Sequence, residues 1–152
     1  MIINAENTVL GRLSSFAAKQ VLLGNTVQIV NCEKAIITGN RDNIFKDYRN
    51  RQRPTDVVHK PIVPKMPDMI VRRTIRGMLP WKRDRGREAY KRVFCYIGIP
   101  EDFKNKEIMT LDKANLNKLK HLKYIQVKEV SKYLGKDIQW KFLIEQNRIW
   151  KF

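Results

Sequence analysis

From Val71 to Arg92 the chain reads VRRTIRGMLPWKRDRGREAYKR, and this stretch limits the possible folds more than any other. Val71, Ile75, Met78 and Leu79 recur at the spacing of one helix face, while Arg72, Arg73 and Arg76 project from the other. Pro67 and Asp68 suit a helix start: the proline ring holds φ near the helical value, and the acid faces the positive end of the dipole. Gly77 weakens the last turn, and Pro80 prevents the helix from running on. Trp81 follows inside the basic run WKRDRGR, and a second short helix is expected from Arg87 to Val93. The twenty-two residues hold nine Lys or Arg against two acids, Asp84 and Glu88. An element of this kind must bury one face and leave a row of guanidinium groups outside, where their forked donors match phosphate oxygens.

A core is available to receive the buried face, because 43% of the 152 residues are hydrophobic, enough for one compact domain. The net charge of +16 attracts polyanions, so nucleic acid is the first partner class and an anionic membrane the second. The membrane reading is the weaker one. The apolar runs are too short to span a bilayer. The start, MIINAENTVLG, lacks a basic region followed by an apolar core, so no signal peptide and an intracellular location are expected. From Arg41 to Arg92 there are sixteen basic and six acidic residues, which places +10 of the total +16 in that span. The charge is therefore concentrated, not spread.

Taken in order, Ile2 and Ile3 start a first strand, and Val9 to Leu23 follows a helical pattern closed by Gly24. Arg12 in its first turn opposes the dipole, which suits either a binding role or simple solvation. Thr26 to Asn31 and Ala35 to Thr38 read as short strands, and a helix is expected from about Arg41 to Arg53. Its Ile44, Phe45 and Tyr48 point inward, while Arg41, Arg49, Arg51 and Arg53 line much of the rest and extend the basic surface. Prolines 54, 61 and 64 break both helix and strand, so about 54–66 is expected to be a mobile basic loop. Val93 to Ile99, an apolar run after a helix, reads as a buried strand. Ile108 to Leu122 is mixed, with Asp112 as the cap of a short helix; Tyr124 to Val127 is extended, and a short helix ends at Gly135. Lys136 to Phe152 carries two tryptophans and two phenylalanines and is expected to dock, on its own domain or on a partner. This order predicts an α/β domain over residues 1–135 with a small, mostly parallel sheet, and a C-terminal extension over 136–152.

Catalytic constellations are not found. There is no GxxxxGK[ST] loop, GxGxxG turn, GxSxG elbow or HExxH helix. Cys32 and Cys95 sit in apolar runs and suit reduced core thiols, and the two histidines, His59 and His121, have no zinc-ligand spacing. Glu6, Glu33 and Asp68 are the acids a metal-dependent nuclease would need, but their spacing fits capping and surface roles better. No cofactor and no small-molecule substrate is expected. Trp81 suits base stacking and core anchoring equally, while Tyr90 suits the core. Binding is the mechanism that remains. Helix-spaced arginines select backbone shape, for which duplex RNA, with its base edges hidden, is the natural fit.

Ile75-Arg76-Gly77-Met78-Leu79-Pro80, Gly86-Arg87 and Tyr96-Ile97-Gly98 closely resemble the signature of the L-thirteen family of large-subunit ribosomal proteins. Leu10 to Ser14 with Ala18-Lys19, Asn31 to Asn40, and Lys123-Tyr124 with the helix before Gly135 resemble it too, in the same order. Trp81 after the proline and the lead-in Val71 to Thr74 look like the archaeal and eukaryotic branch, and the compact length like the archaeal one. The resemblance implies a three-layer α/β/α fold with a four-stranded, mostly parallel sheet and basic helical extensions. It also implies no catalytic activity and a place in the cytoplasm within the large ribosomal subunit. The partners implied are large-subunit rRNA and neighbouring ribosomal proteins, with entry early in assembly. The rRNA-facing residues would be Arg72, Arg73, Arg76, Trp81, Lys82, Arg83, Arg85, Arg87, Lys91 and Arg92, with Arg12 and Arg41, Arg49, Arg51 and Arg53 nearby. A stand-alone duplex-binding regulator is the alternative that composition and patch leave standing.

Overall fold

The computed structural model describes residues 1–52, 63–103, 105–118 and 123–135. Its elements are β1 (Ile2–Asn4), α1 (Leu10–Leu22), β2 (Val27–Val30), β3 (Ile36–Thr38), α2 (Arg41–Gln52), α3 (Pro67–Met78), α4 (Asp84–Lys91), β4 (Val93–Cys95), β5 (Tyr124–Gln126) and α5 (Val127–Tyr133). β2 is central, with β1 and β4 parallel on either side; Ile29 faces Ile3 in one neighbour and Cys95 in the other. Parallel neighbours need a crossover, and α1 supplies the one between β1 and β2. Gly24, with φ +98°, closes that helix as expected.

The expected four-stranded sheet is divided in two. Among the described residues the parallel sheet has three strands, and β3 instead pairs antiparallel with β5, Ile37 opposite Ile125. The cause is local. Asn31 sits at φ +56°, a left-handed conformation that asparagine tolerates, and opens a 3-10 turn over Cys32–Lys34. The chain leaves the line of β2 before β3 begins.

The sheet alternates its contacts. Ile3, Val27 and Ile29 join Leu13, Ala17 and Val21 of α1, Val71 and Ile75 of α3, and Ala89 of α4 in the main core. Ile2 and Val30 instead pack with Phe103, Tyr96, Ile99 and Ile108. Period-two side-chain alternation thus puts the helices on one face and a layer of loop and 3-10 turn on the other.

Three further expectations are corrected by the backbone. The strand expected over Val93 to Ile99 pairs only through Val93–Cys95, with Tyr96 still donating to the Ile29 carbonyl at 2.8 Å. Gly98, at φ +66°, then turns the chain, and its N–H donates to Glu33 Oε2 at 3.1 Å. The short helix expected after Asp112 is two 3-10 turns, Asp112–Ala114 and Leu116–Lys118. The helix expected from Arg87 begins three residues earlier, at Asp84, and ends before Val93. Most of the loop at 54–66 and the whole of 136–152 lie outside the described residues.

Candidate nucleic-acid interface

α3 places its arginines by burying the opposite side. Ile70, Val71 and Ile75 are buried, as is Leu79 just past the helix end. Met78, the last residue of the helix, was expected on this side but is exposed, while Leu79 after it turns into the core. Pro80 then turns the chain: Trp81 N–H donates to the Leu79 carbonyl at 2.7 Å, and Arg83 N–H to the Pro80 carbonyl at 2.9 Å. α4 starts at once and crosses close over this turn at Gly86, where a Cβ would run into the Pro80 carbonyl. The basic run WKRDRGR is therefore half turn and half helix.

Alternating rings and cations tie the two helices together. Arg72 Cζ lies 4.8 Å from the Tyr90 ring centre, and Arg76 Cζ lies 4.3 Å from that of Trp81. Between them the two rings meet edge-on, with centres 5.0 Å apart and planes at 87°. Both rings are half-buried, so Trp81 is neither a core anchor nor fully exposed. The Tyr90 phenol is pushed up from its ordinary pKa, chiefly by burial.

Beside this stack is a recess of about 660 Å³, lined by Arg73, Arg76, Gly77, Leu79, Pro80, Trp81, Lys82 and Arg83. Four of its eight walls are cations. A smaller cavity of about 200 Å³ adjoins it, where Tyr48 and Arg51 of α2 meet Arg73, Thr74 and Gly77 of α3. Arg73 and Gly77 line both, so part of α2 is continuous with the basic surface of α3. The sequence pattern marked the arginines but not Tyr48, Thr74 or Gly77, whose places depend on how the helices meet.

The other expected residues separate into groups. Arg49, Arg85 and Lys91 are exposed. Arg51 lies over the Tyr48 ring, 5.1 Å from its centre. Arg41 faces α5 instead, 3.6 Å from Glu129, in an exposed pair beside Phe45 stacked on Tyr133. Arg87 is 3.5 Å from Asp84 and donates to the Lys82 carbonyl. Arg92 donates to the Val21 carbonyl at 3.4 Å, a cation at the C-terminal end of α1 where the dipole favours it. Arg12 is not brought to the α3–α4 recess. It donates to the Lys113 carbonyl at 3.3 Å and lines a separate recess of about 680 Å³ with Phe16, Lys19 and Leu111. Arg53 lies outside the described residues.

The three acids weighed as a metal cluster have separate structural places. Glu6 is 2.8 Å from Lys34, and this hydrogen bond holds its carboxyl below the ordinary pKa. Glu33 accepts from the Gly98 N–H. Asp68 is buried at the start of α3, where desolvation raises its pKa. What the surface offers is concentrated, partly stacked positive charge around a recess, which suits phosphate and base contacts.

Comparison with known proteins decides the family. The family model described as Ribosomal protein L13 matches residues 1–102, a span that contains the whole α3–α4 recess. The chain belongs to the ribosomal protein L13 family. Large ribosomal subunit protein uL13 of Methanopyrus kandleri is 44% identical over 136 residues, covering 88% of this chain and 86% of the relative. The protein of the same name from Methanosarcina barkeri is 44% identical over 135 residues, with 88% and 96% covered. That of Methanocaldococcus jannaschii is 45% identical over 138 residues, with 88% and 96% covered. All three organisms are archaea, in line with the branch that Trp81 and the Val71–Thr74 lead-in resemble. The L13 family is structural and not enzymatic.

Proposed function

We propose that this chain is a structural component of the large ribosomal subunit that binds large-subunit rRNA and enters the particle early in assembly. The observation that carries the reading is the four-cation recess at the α3–α4 turn, in a chain of the L13 family. Arg73, Arg76, Lys82 and Arg83 form the centre of the rRNA-facing set, with Trp81 as its aromatic wall. Arg85, Arg87, Lys91, Arg49 and Arg51 extend it. Arg72 and Arg92 act mainly through the fold, holding Tyr90 and the end of α1. Arg12 belongs to a second contact. Residues 1–135 act as one unit, and 136–152 meets rRNA or a neighbouring ribosomal protein. The particle would place the chain in the cytoplasm.

A sucrose gradient of native lysate tests this. Co-sedimentation with the large subunit that survives a high-salt wash is expected. The variant Lys82→Glu/Arg83→Glu/Arg85→Glu, at three exposed positions, should melt like the parent yet stay at the top of the gradient. A parent chain at the top of the gradient would overturn the ribosomal reading in favour of a free duplex-binding regulator.

A further inference from the structure

The α3–α4 recess contains a glycine that the fold does not require. Gly77 lies inside α3 with an ordinary negative φ, so it does not use the left-handed conformation that justifies glycine at Gly24, Gly98 or Gly135. A Cβ built on it meets no atom within 4 Å. Gly86, across the turn, is the opposite case, since its Cβ would collide with the Pro80 carbonyl. Glycine is among the poorest helix formers, so at Gly77 neither backbone nor packing repays it. What the missing side chain does provide is space: Gly77 lines the recess between Arg73 and Arg76 on one side and Trp81, Lys82 and Arg83 on the other.

We infer that this recess receives one unstacked RNA nucleotide, its base against Arg76 and Trp81 and its flanking phosphates on Arg73, Lys82 and Arg83. This rests on the rRNA-binding reading and specifies what part of the RNA is bound. The volume, about 660 Å³, falls among sites that enclose small molecules, roughly 300–1,000 Å³. A paired A-form backbone reaches only the rim of such a recess, whereas a bulged or looped nucleotide enters it and stacks on aromatic and guanidinium groups. Arg76 is exposed while lying 4.3 Å from the Trp81 ring, so guanidinium and indole already form the partner such a base would stack on. Stacking of this kind tolerates any base. The site therefore recognises an unpaired position, not a sequence.

The test uses the full chain and two short RNA hairpins of equal charge, one with a single bulged fluorescent purine analogue and one with that analogue paired in the stem. The bulged hairpin is expected to bind about tenfold more tightly, and its fluorescence to change on stacking. Gly77→Leu adds volume at an open Cβ position without changing charge. It is expected to melt at or above the parent, since it gains helix propensity, and to bind both hairpins equally, at the parent's affinity for the paired one. Arg76→Gln should also lose most of the preference, which guards against misfolding of the first variant. Equal binding of both hairpins by the parent, with unchanged fluorescence, would overturn the nucleotide recess and leave rRNA binding intact. Failure to bind either hairpin at moderate salt would overturn both.

Discussion

Two glycines nine residues apart in the same basic segment, Gly77 and Gly86, should respond oppositely to one added methyl group. Gly86→Ala forces α4 away from the Pro80 carbonyl, and a loss of about 1–3 kcal/mol is expected from overpacking against backbone. Gly77→Ala meets open space and gains helix propensity, about 0.5–1 kcal/mol of added stability. Urea midpoints of the two variants check the pair; a destabilised Gly77→Ala would mean that the open space around it is wrong. Asp68 gives a pH test. Burial raises its folded pKa, so the folded chain holds this proton more tightly than the unfolded chain does. The charged carboxylate therefore costs stability above the folded pKa. That cost fades as pH falls through the folded pKa towards the ordinary value of about 3.9. Asp68→Asn should raise the melting temperature most at neutral pH, with the gap closing in acid. A gap that widens in acid would reverse the sign.

At the scale of elements, the joint between α3 and α4 depends on side chains that composition alone would assign to RNA. Arg72 is half-buried over Tyr90, and its value to the fold is separable from any value to binding. A double-mutant cycle of Arg72→Gln and Tyr90→Leu should show a coupling of about 0.5–1 kcal/mol, the range of a partly exposed cation–ring contact. Additive effects would remove Arg72 from the joint. The helix pattern around it was legible: Val71 and Ile75 are buried, and Pro67 and Asp68 open α3 as their chemistry suggested. The start of α4 was not. Arg83-Asp84-Arg85 reads as polar loop by charge, and only the docking of Gly86 against Pro80 makes it the first turn of a helix.

Over the whole molecule, the excess of positive charge makes binding to any nucleic acid strongly salt-dependent. The slope of log affinity against log salt measures how many phosphates are neutralised. Lys82→Gln, at an exposed wall of the recess, should lower that slope by about 0.7–0.9, the contribution of one phosphate contact. Titrations at several salt concentrations read this directly, and an unchanged slope would place Lys82 outside the interface. Charge at this scale was plain in the chain, yet its grouping was not. Arg12, Arg41 and Arg92 belong to the same composition as Arg73 and Arg83, but they bond to Lys113, Glu129 and Val21 on other elements.

Sequence alone determined the amphipathic α3, the stop at Pro80, the density of cations beyond it and the family resemblance, because each is written in residues near one another along the chain. The parting of β3 from the parallel sheet depended on one asparagine turning left-handed and on a partner strand some ninety residues downstream. The recess is lined wholly within Arg73–Arg83, but the turn at Pro80 that shapes it is one against which Gly86 of α4 packs. Periodicity shows which face of a helix is buried, but not which other helix will stand beside its exposed face. Only the tertiary structure could decide that.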